Sequence, residues 1–319
     1  MFQYNDIKHL DIFPNNSGFM FPEKILFDKV SNVKNAKSNS ICWIKKGVPN
    51  IMETISEINH CFVILHAENL QTLVQNANTN QNSYYICDDP KFIFSYVVNY
   101  LFVQKIEYNI HSTAILHPEA NISEKVYIGP FTEVGKCHIG EGTIIHGHCK
   151  IHDNTIIGKN VIINSFVNVG GDGFGYTSNT EKQAIKFPHI GGVILEDGVE
   201  IGSNTCIDKG ALGNTIIKRN VKIDNLVHIA HNVEIGENTF VIARAMIGGS
   251  VIIGKNCWVA PSASIINGVQ IGDQVVIGIG AVVTKSIPEG EVWAGSPAKP
   301  TQEIKDYNQK IKRLLENNE

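Results

Sequence analysis

From residue 116 onward an aliphatic side chain recurs at every sixth position. The longest run reads Ile217, Ile223, Ile229, Ile235, Val241, Ile247, Ile253, Val259, Ile265, Ile271, Ile277 and Val283 without a break, and every member is β-branched. A helix of 3.6 residues per turn would carry the sixth residue to its opposite side. A strand-turn unit of six residues, stacked three per coil, keeps that residue pointing inward. Two residues ahead of each stands a small or β-branched companion: Thr215, Val221, Val227, Val233, Thr239, Ala245, Val251, Cys257, Ala263, Val269, Val275 and Ala281. Both sets are expected to fill a narrow core. Earlier runs share the period: Leu116, Ile122, Ile128, Val134, then after a one-residue slip Ile139, Ile145, Ile151, Ile157, Ile163, Val169, and finally Leu195, Ile201, Ile207. Each buried Ile or Val contributes roughly 1.5–3 kcal/mol, enough in such numbers for a stiff prism. Gly129, Gly140, Gly158, Gly202, Gly236, Gly254, Gly272 and Gly278 directly follow an aliphatic position, where a tight corner favours a residue without Cβ.

Two segments lie outside this repeat. Residues 1–105 have mixed patterning, with apolar stretches at Ser40–Ile44, Cys61–Leu65 and Tyr84–Cys87 and a helical pattern from Phe92 to Phe102. They read as a small α/β domain. After Pro297 and Pro300, the stretch Thr301–Glu319 places Ile304, Tyr307, Ile311, Leu314 and Leu315 at helical spacing, the mark of an amphipathic terminal helix. The expected fold is therefore mainly β: a parallel β-helix over residues 106–300, preceded by an α/β domain and followed by an α-helix over 301–319.

Composition adds exclusions. Hydrophobic residues make up 43% and charged residues 18% of the 319 positions; no apolar run approaches the ~18 residues of a membrane span, and no basic-then-apolar start marks export. A cytoplasmic protein without a transmembrane segment is expected. A formal net charge of −4, with cations spread along the chain, speaks against a nucleic-acid surface. The seven cysteines form no CxxC pair and read as reduced thiols.

A repeat this regular says nothing about chemistry, so function has to come from what interrupts it. The period fails between Gly170 and Gly192, where Gly170-Gly171-Asp172-Gly173-Phe174-Gly175-Tyr176 stands. Its glycines permit close backbone approach to a ligand, Phe174 and Tyr176 can stack on a sugar or base, and Asp172 can accept hydroxyl hydrogen bonds. A long glycine-rich turn is the plain alternative. A second break, Ile207-Asp208-Lys209-Gly210-Ala211-Leu212, offers Lys209 for a phosphate or for a surface ion pair. His231, two residues past the inward Ile229, faces outward; one coil later stands Gly249 and a further coil later Asn267, which leaves a groove beside the imidazole. An imidazole is suited to take a proton from an attacking amine or hydroxyl near neutral pH.

Gly171-Asp172-Gly173-Phe174-Gly175-Tyr176, Lys186-Phe187-Pro188-His189-Ile190-Gly191, Ile207 to Leu212, Ile223-Asp224-Asn225 and Ile229-Ala230-His231-Asn232-Val233 follow one another in this order. On these motifs, across residues 116–300, the chain resembles the UDP-3-O-acylglucosamine N-acyltransferases of lipid A synthesis, within the hexapeptide-repeat superfamily. The resemblance implies a left-handed coil, against the usual right-handed crossover preference, and a homotrimer with active sites between neighbouring prisms. It makes His231 the general base. Asp224 and Asn225 become substrate-site candidates through their motif, and Trp43 is the candidate for stacking on the nucleotide base. The acyl donor is a thioester, acyl-coenzyme A or acyl carrier protein, and no permanently bound cofactor or metal is implied. Gly249 beside the groove is a candidate oxyanion donor, and the donor arm is expected past Gly249 and Asn267 toward Gly278 and Gly280. Val283-Thr284-Lys285 and Ala294-Gly295-Ser296-Pro297-Ala298 resemble the last coil of coenzyme A-dependent sugar acetyltransferases, which adds Lys285.

The chain also departs from that pattern. The family's second histidine, just before the coil of Ile271, falls by count on Gly268, and Trp43 has no evident aromatic partner. Two transferase readings follow: acylation of an amino-deoxy nucleotide sugar for surface glycans such as O-antigen with acyl-coenzyme A, which these departures favour, and the lipid A reaction with a 3-hydroxyacyl carrier protein. Lys305, Lys310, Lys312 and Arg313 can meet an acidic carrier or simply form a solvated helix face. A γ-type carbonic anhydrase, with zinc held among His146, His148, His152, His228 and His231, is disfavoured by their spacing, and a bare scaffold by the glycine-rich insertion.

Overall fold

A computed structural model describes residues 1–13, 18–70 and 81–316. The last three residues of the expected terminal helix, 317–319, lie outside them. The chain forms two compact units, Met1–Lys105 and Ile106–Glu319.

In the first unit the apolar stretches become the three central strands of a five-stranded sheet, Ser40–Ile44, Phe62–His66 and Ser83–Cys87. These three are parallel, and Phe19–Met20 joins one edge antiparallel. Successive side chains of a strand point to opposite faces. Accordingly Ile41, Phe62, Ile64 and Tyr85 pack with Ile93 and Val97 of the helix Pro90–Leu101, while Cys42, Ile44, Val63, Leu65 and Tyr84 pack with Ile51 and Ile55 of the helix Ile51–Ser56. Asp89 caps the longer helix by accepting the Phe92 N–H at 3.0 Å.

The second unit is a left-handed parallel β-helix whose three faces are sheets of two- to four-residue strands. The six-residue period becomes vertical register: Ile229 pairs with Ile247, Ile247 with Ile265 and Ile265 with Val283. The slip after Val134 makes the first coils one residue shorter, so that Ile128 pairs with Ile145 and Val134 with Ile151. Every member of the long aliphatic run is buried, and so is every companion. Thr132, Thr143, Thr205 and Thr239 are buried and satisfy their hydroxyls between coils, whereas Thr155 Oγ1 has no partner among the described residues. Thr239 Oγ1 donates to the Gly254 carbonyl at 2.8 Å and accepts the Cys257 N–H at 3.0 Å.

The glycines after the aliphatic positions answer to a different constraint from the one expected. None of the eight has a positive φ; the left-handed corner residues stand a little further on, among them Asn220, Asn232, Asn238 and Asn256. Asparagine tolerates that region because its short polar side chain bonds locally. The glycines are needed instead where coils approach closely, since a Cβ on Gly236 would stand 2.5 Å from the Gly254 carbonyl carbon.

The insertion after Val169 leaves the prism as an antiparallel hairpin, Tyr176–Ser178 against Ala184–Lys186, and the coil resumes when Val193–Leu195 stacks on Thr155–Ile157. The described part of the terminal helix runs Thr301–Glu316. No helix among the described residues is long and apolar enough to cross a membrane.

Candidate functional site

The strand His228–Ile229 sets the site. Ile229 is fully buried, so the chain turns the corner with His231 directed outward and half-buried. The register of Ile229 with Ile247 brings Gly249 directly over His231. A Cβ at 249 would stand 2.8 Å from both Cε1 and Nε2 of the imidazole, so only glycine leaves that nitrogen open.

Neighbouring bonds decide which imidazole nitrogen is basic. Asn232 Oδ1 accepts the Ala211 N–H at 2.9 Å and lies 3.2 Å from His231 Nδ1. An amide oxygen cannot donate, so Nδ1 carries the proton and Nε2 keeps its lone pair toward Gly249. Asn232 is itself held by its backbone N–H donating to Thr215 Oγ1 at 2.9 Å. The Gly249 N–H has no acceptor among the described residues, which leaves it available to a developing oxyanion.

The two breaks in the repeat pack against this corner. Ile190 and Gly191 donate their N–H groups to the Ala211 carbonyl, and Gly191 also to that of Gly210. Asp172 accepts from Lys186 and, at 2.8 Å, from Lys209; the hydrogen bond from Lys186, then that from Lys209, holds its carboxyl well below the usual carboxylate range. The rings of Phe174 and Tyr176 lie 5.0 Å apart and are exposed. Asp208 lies behind the corner, its Oδ2 3.7 Å from His228 Nε2. Burial pushes its carboxyl pKa up, and the nearby His228, His231 and His189 work against that rise.

Sequence reasoning gave no role to His189, which is 6% exposed. Its ring lies edge-on to that of His231, centroids 5.2 Å apart. Its place in the non-periodic insertion hid this, and the only signal was its motif. Asn232 and Asp208 also stood in quoted motifs without a role.

The edge carrying His231 thus gathers Asp172, Lys209 and Gly249, with Asn267 and Lys285 further along the same column of coils; Lys285 Nζ sits 5.2 Å from the centre of the Trp293 ring. Gly278 and Gly280 fall on a different corner, after the strand Val276–Ile277, as do Asp224 and Asn225. The Asp224 carboxylate accepts the Asn225 and Ala243 N–H groups, and Asn225 Oδ1 accepts that of Ser203, so these side chains brace coils. Trp43 lies in the first unit, where its ring packs against Phe94 at 6.5 Å. Among the described residues no group of three or more His, Cys, Asp or Glu is placed to hold a metal ion; His148 stacks between Phe131 and Phe166.

Residues 214–249 and 250–285 each match the bacterial transferase hexapeptide (six repeats) model. The chain is 31% identical over 235 residues to the UDP-3-O-acylglucosamine N-acyltransferase of Polynucleobacter asymbioticus, covering 65% of this chain and 66% of that one. It is 48% identical over 158 residues to the enzyme of that name in Caulobacter vibrioides, covering 48% of this chain and 46% of that one. The chain thus spans less than half to about two thirds of these relatives' lengths. Among solved structures it resembles LpxA from Acinetobacter baumannii at 27% identity and a TM-score of 0.50, covering 60% of this chain and 72% of that one. The UDP-N-acetylglucosamine acyltransferase from Campylobacter jejuni, at 24% identity and a TM-score of 0.54 over 60% of this chain and 73% of that one, shares the fold. Coil and repeat define a left-handed β-helix protein with the hexapeptide repeat of bacterial transferases. Within that class the chain is similar to the UDP-3-O-acylglucosamine N-acyltransferases.

Proposed function

We propose that this protein transfers an acyl group from a thioester to the amine of a UDP-linked 3-O-acylglucosamine, the lipid A reaction, with an acyl carrier protein as donor. The observation that carries the reading is the open, lone-pair-bearing Nε2 of His231 under Gly249. The amine nitrogen attacks the thioester carbonyl carbon, and Nε2 takes the proton that the new C–N bond makes acidic. The oxyanion sits against the Gly249 N–H. The C–S bond then breaks, and the leaving thiolate takes the proton from the imidazolium, giving amide and free thiol. The thioester brings its own leaving group, so alignment and proton removal are the main demands on the protein.

The printed names of the relatives favour this substrate over the amino-deoxy sugar of surface glycans, toward which Gly268 leans. The reading includes a homotrimer in which Asp224, Asn225, Gly278 and Gly280 reach the site from a neighbouring protomer, and a nucleotide held through Asp172, Phe174, Tyr176 and Lys209. Its test is thiol release by the purified protein from 3-hydroxyacyl carrier protein and from acyl-coenzyme A, each with UDP-3-O-acylglucosamine and with amino-deoxy nucleotide sugars. Turnover with carrier protein and UDP-3-O-acylglucosamine is expected. Turnover confined to coenzyme A and the deoxy sugars would replace it with the surface-glycan reading, and a wild-type rate in His231→Ala would remove the general base.

A further inference from the structure

The Lys186-to-Gly191 motif has so far no chemical part, yet it carries a buried nitrogen without a partner. His189 Nδ1 lies 3.0 Å from the Phe187 carbonyl oxygen. A carbonyl can only accept, so Nδ1 is the donor, and in the neutral imidazole Nε2 is left as a bare acceptor. That Nε2 is buried and unpartnered among the described residues. A buried polar atom with no partner is uncommon and calls for a specific explanation.

Its surroundings supply one. His189 lines a cavity of about 720 Å³ together with His152, Ile190 and Lys209, while its ring lies edge-on to that of His231. A Cβ on Gly173 would stand 2.9 Å from His189 Nε2 and 3.1 Å from His231 Cδ2, so both rings converge on one point. A Cβ on Gly175 would stand 2.7 Å from His189 Cε1. Only glycine at 173 and 175 lets the insertion pass this close to the two imidazoles.

We propose that His189 is a substrate-binding residue whose Nε2 accepts a hydrogen bond from an O–H or N–H of the acceptor sugar, next to the amine that His231 deprotonates. The inference rests on the acyl-transfer reading and adds to it the group that orients the acceptor. A neutral acceptor beside a general base selects a donor-rich ligand, such as a sugar ring, over an anion.

The test pairs His189→Phe, which keeps a ring against His231 without an acceptor, with His189→Gln, which keeps an acceptor oxygen. His189→Phe should raise the KM for UDP-3-O-acylglucosamine about tenfold, as expected for one lost hydrogen bond in a buried site, and leave the KM for the acyl donor unchanged. His189→Gln should restore most of that loss. A wild-type acceptor KM in His189→Phe overturns the proposal, as does equal impairment of both variants, which would assign the ring a packing role. The second measurement needs no turnover: in histidine-¹⁵N-labelled wild-type protein, UDP-3-O-acylglucosamine alone should shift the His189 Nε2 resonance. Binding seen at other histidines with His189 unmoved would sink the proposal while leaving the transferase reading intact; absence of turnover with a His189 shift would do the reverse.

Discussion

Gly249 sits so close over His231 that a Cβ on it would stand 2.8 Å from Nε2, the atom left basic by the bond between Nδ1 and Asn232. The groove beside the imidazole therefore depends on one missing methyl group. Gly249→Ala has to push the ring aside, and a displacement of about 1 Å at a reacting group costs on the order of 10²-fold in rate. A kcat reduced by about that factor, with unchanged far-ultraviolet circular dichroism, is the expected result. A wild-type kcat would show that the ring has room to spare.

Asn232 provides the second control. Its Oδ1 fixes the His231 tautomer and also holds the Ala211 N–H, tying the base to the break after Lys209. Asn232→Leu removes both acceptor functions and should lower kcat about 10- to 100-fold, at or below the low end of what a positioned acid-base function contributes, with little change in acceptor KM. Asn232→Asp keeps an acceptor oxygen and should retain far more activity. Equal losses in the two variants would mean that the side chain matters only for the fold of the corner.

Much of this was legible because a triangular coil converts a chemical period into a vertical register: Ile247 above Ile229 and below Ile265 follows once the six-residue unit is seen. The same arithmetic put Gly249 over His231. It fails where the chain leaves the coil. His189 lies in the irregular return segment after the hairpin, which has no period, so nothing in its spacing points to the His231 ring. The coil-bracing role of Asp224 and Asn225 is hidden for another reason. Carboxylate and amide oxygens at a corner bond the nearest unpaired N–H groups, and a sequence does not distinguish an oxygen so occupied from one facing a ligand. Gly236 and Gly254 show a third limit, because a glycine required by inter-coil contact looks the same as one required by φ.

Acid should release the hairpin. The Asp172 carboxyl is held below its ordinary range by Lys186 and Lys209, so its folded pKa lies below the unfolded one. The stabilisation is complete above the ordinary carboxylate pKa of about 4 and is lost as pH falls through the lower folded value. These side chains are partly exposed, so solvent screens the effect and salt weakens it. Amide exchange over Tyr176–Lys186, corrected for its intrinsic pH dependence, should stay protected from pH 7 to about 4 and rise only below. Asp172→Asn should show raised exchange throughout, with no acid step. A step in the variant at the wild-type position would assign the transition to another group.

The core can be probed apart from the site at Thr239, whose hydroxyl bridges two coils by donating to Gly254 and accepting from Cys257. Thr239→Val has nearly the same shape, so the substitution changes bonding more than packing. It leaves the Gly254 carbonyl and the Cys257 N–H without their partner in a fully buried position. The cost of such orphaned groups is about 1–3 kcal/mol. Denaturant unfolding should show that loss, with kcat unchanged because His231 stands on a different edge of the prism. A stability equal to or above wild type would mean that the extra methyl group, through dispersion and desolvation, outweighs the two bonds. Buried threonines at this position of the coil would then owe their place to something other than stability.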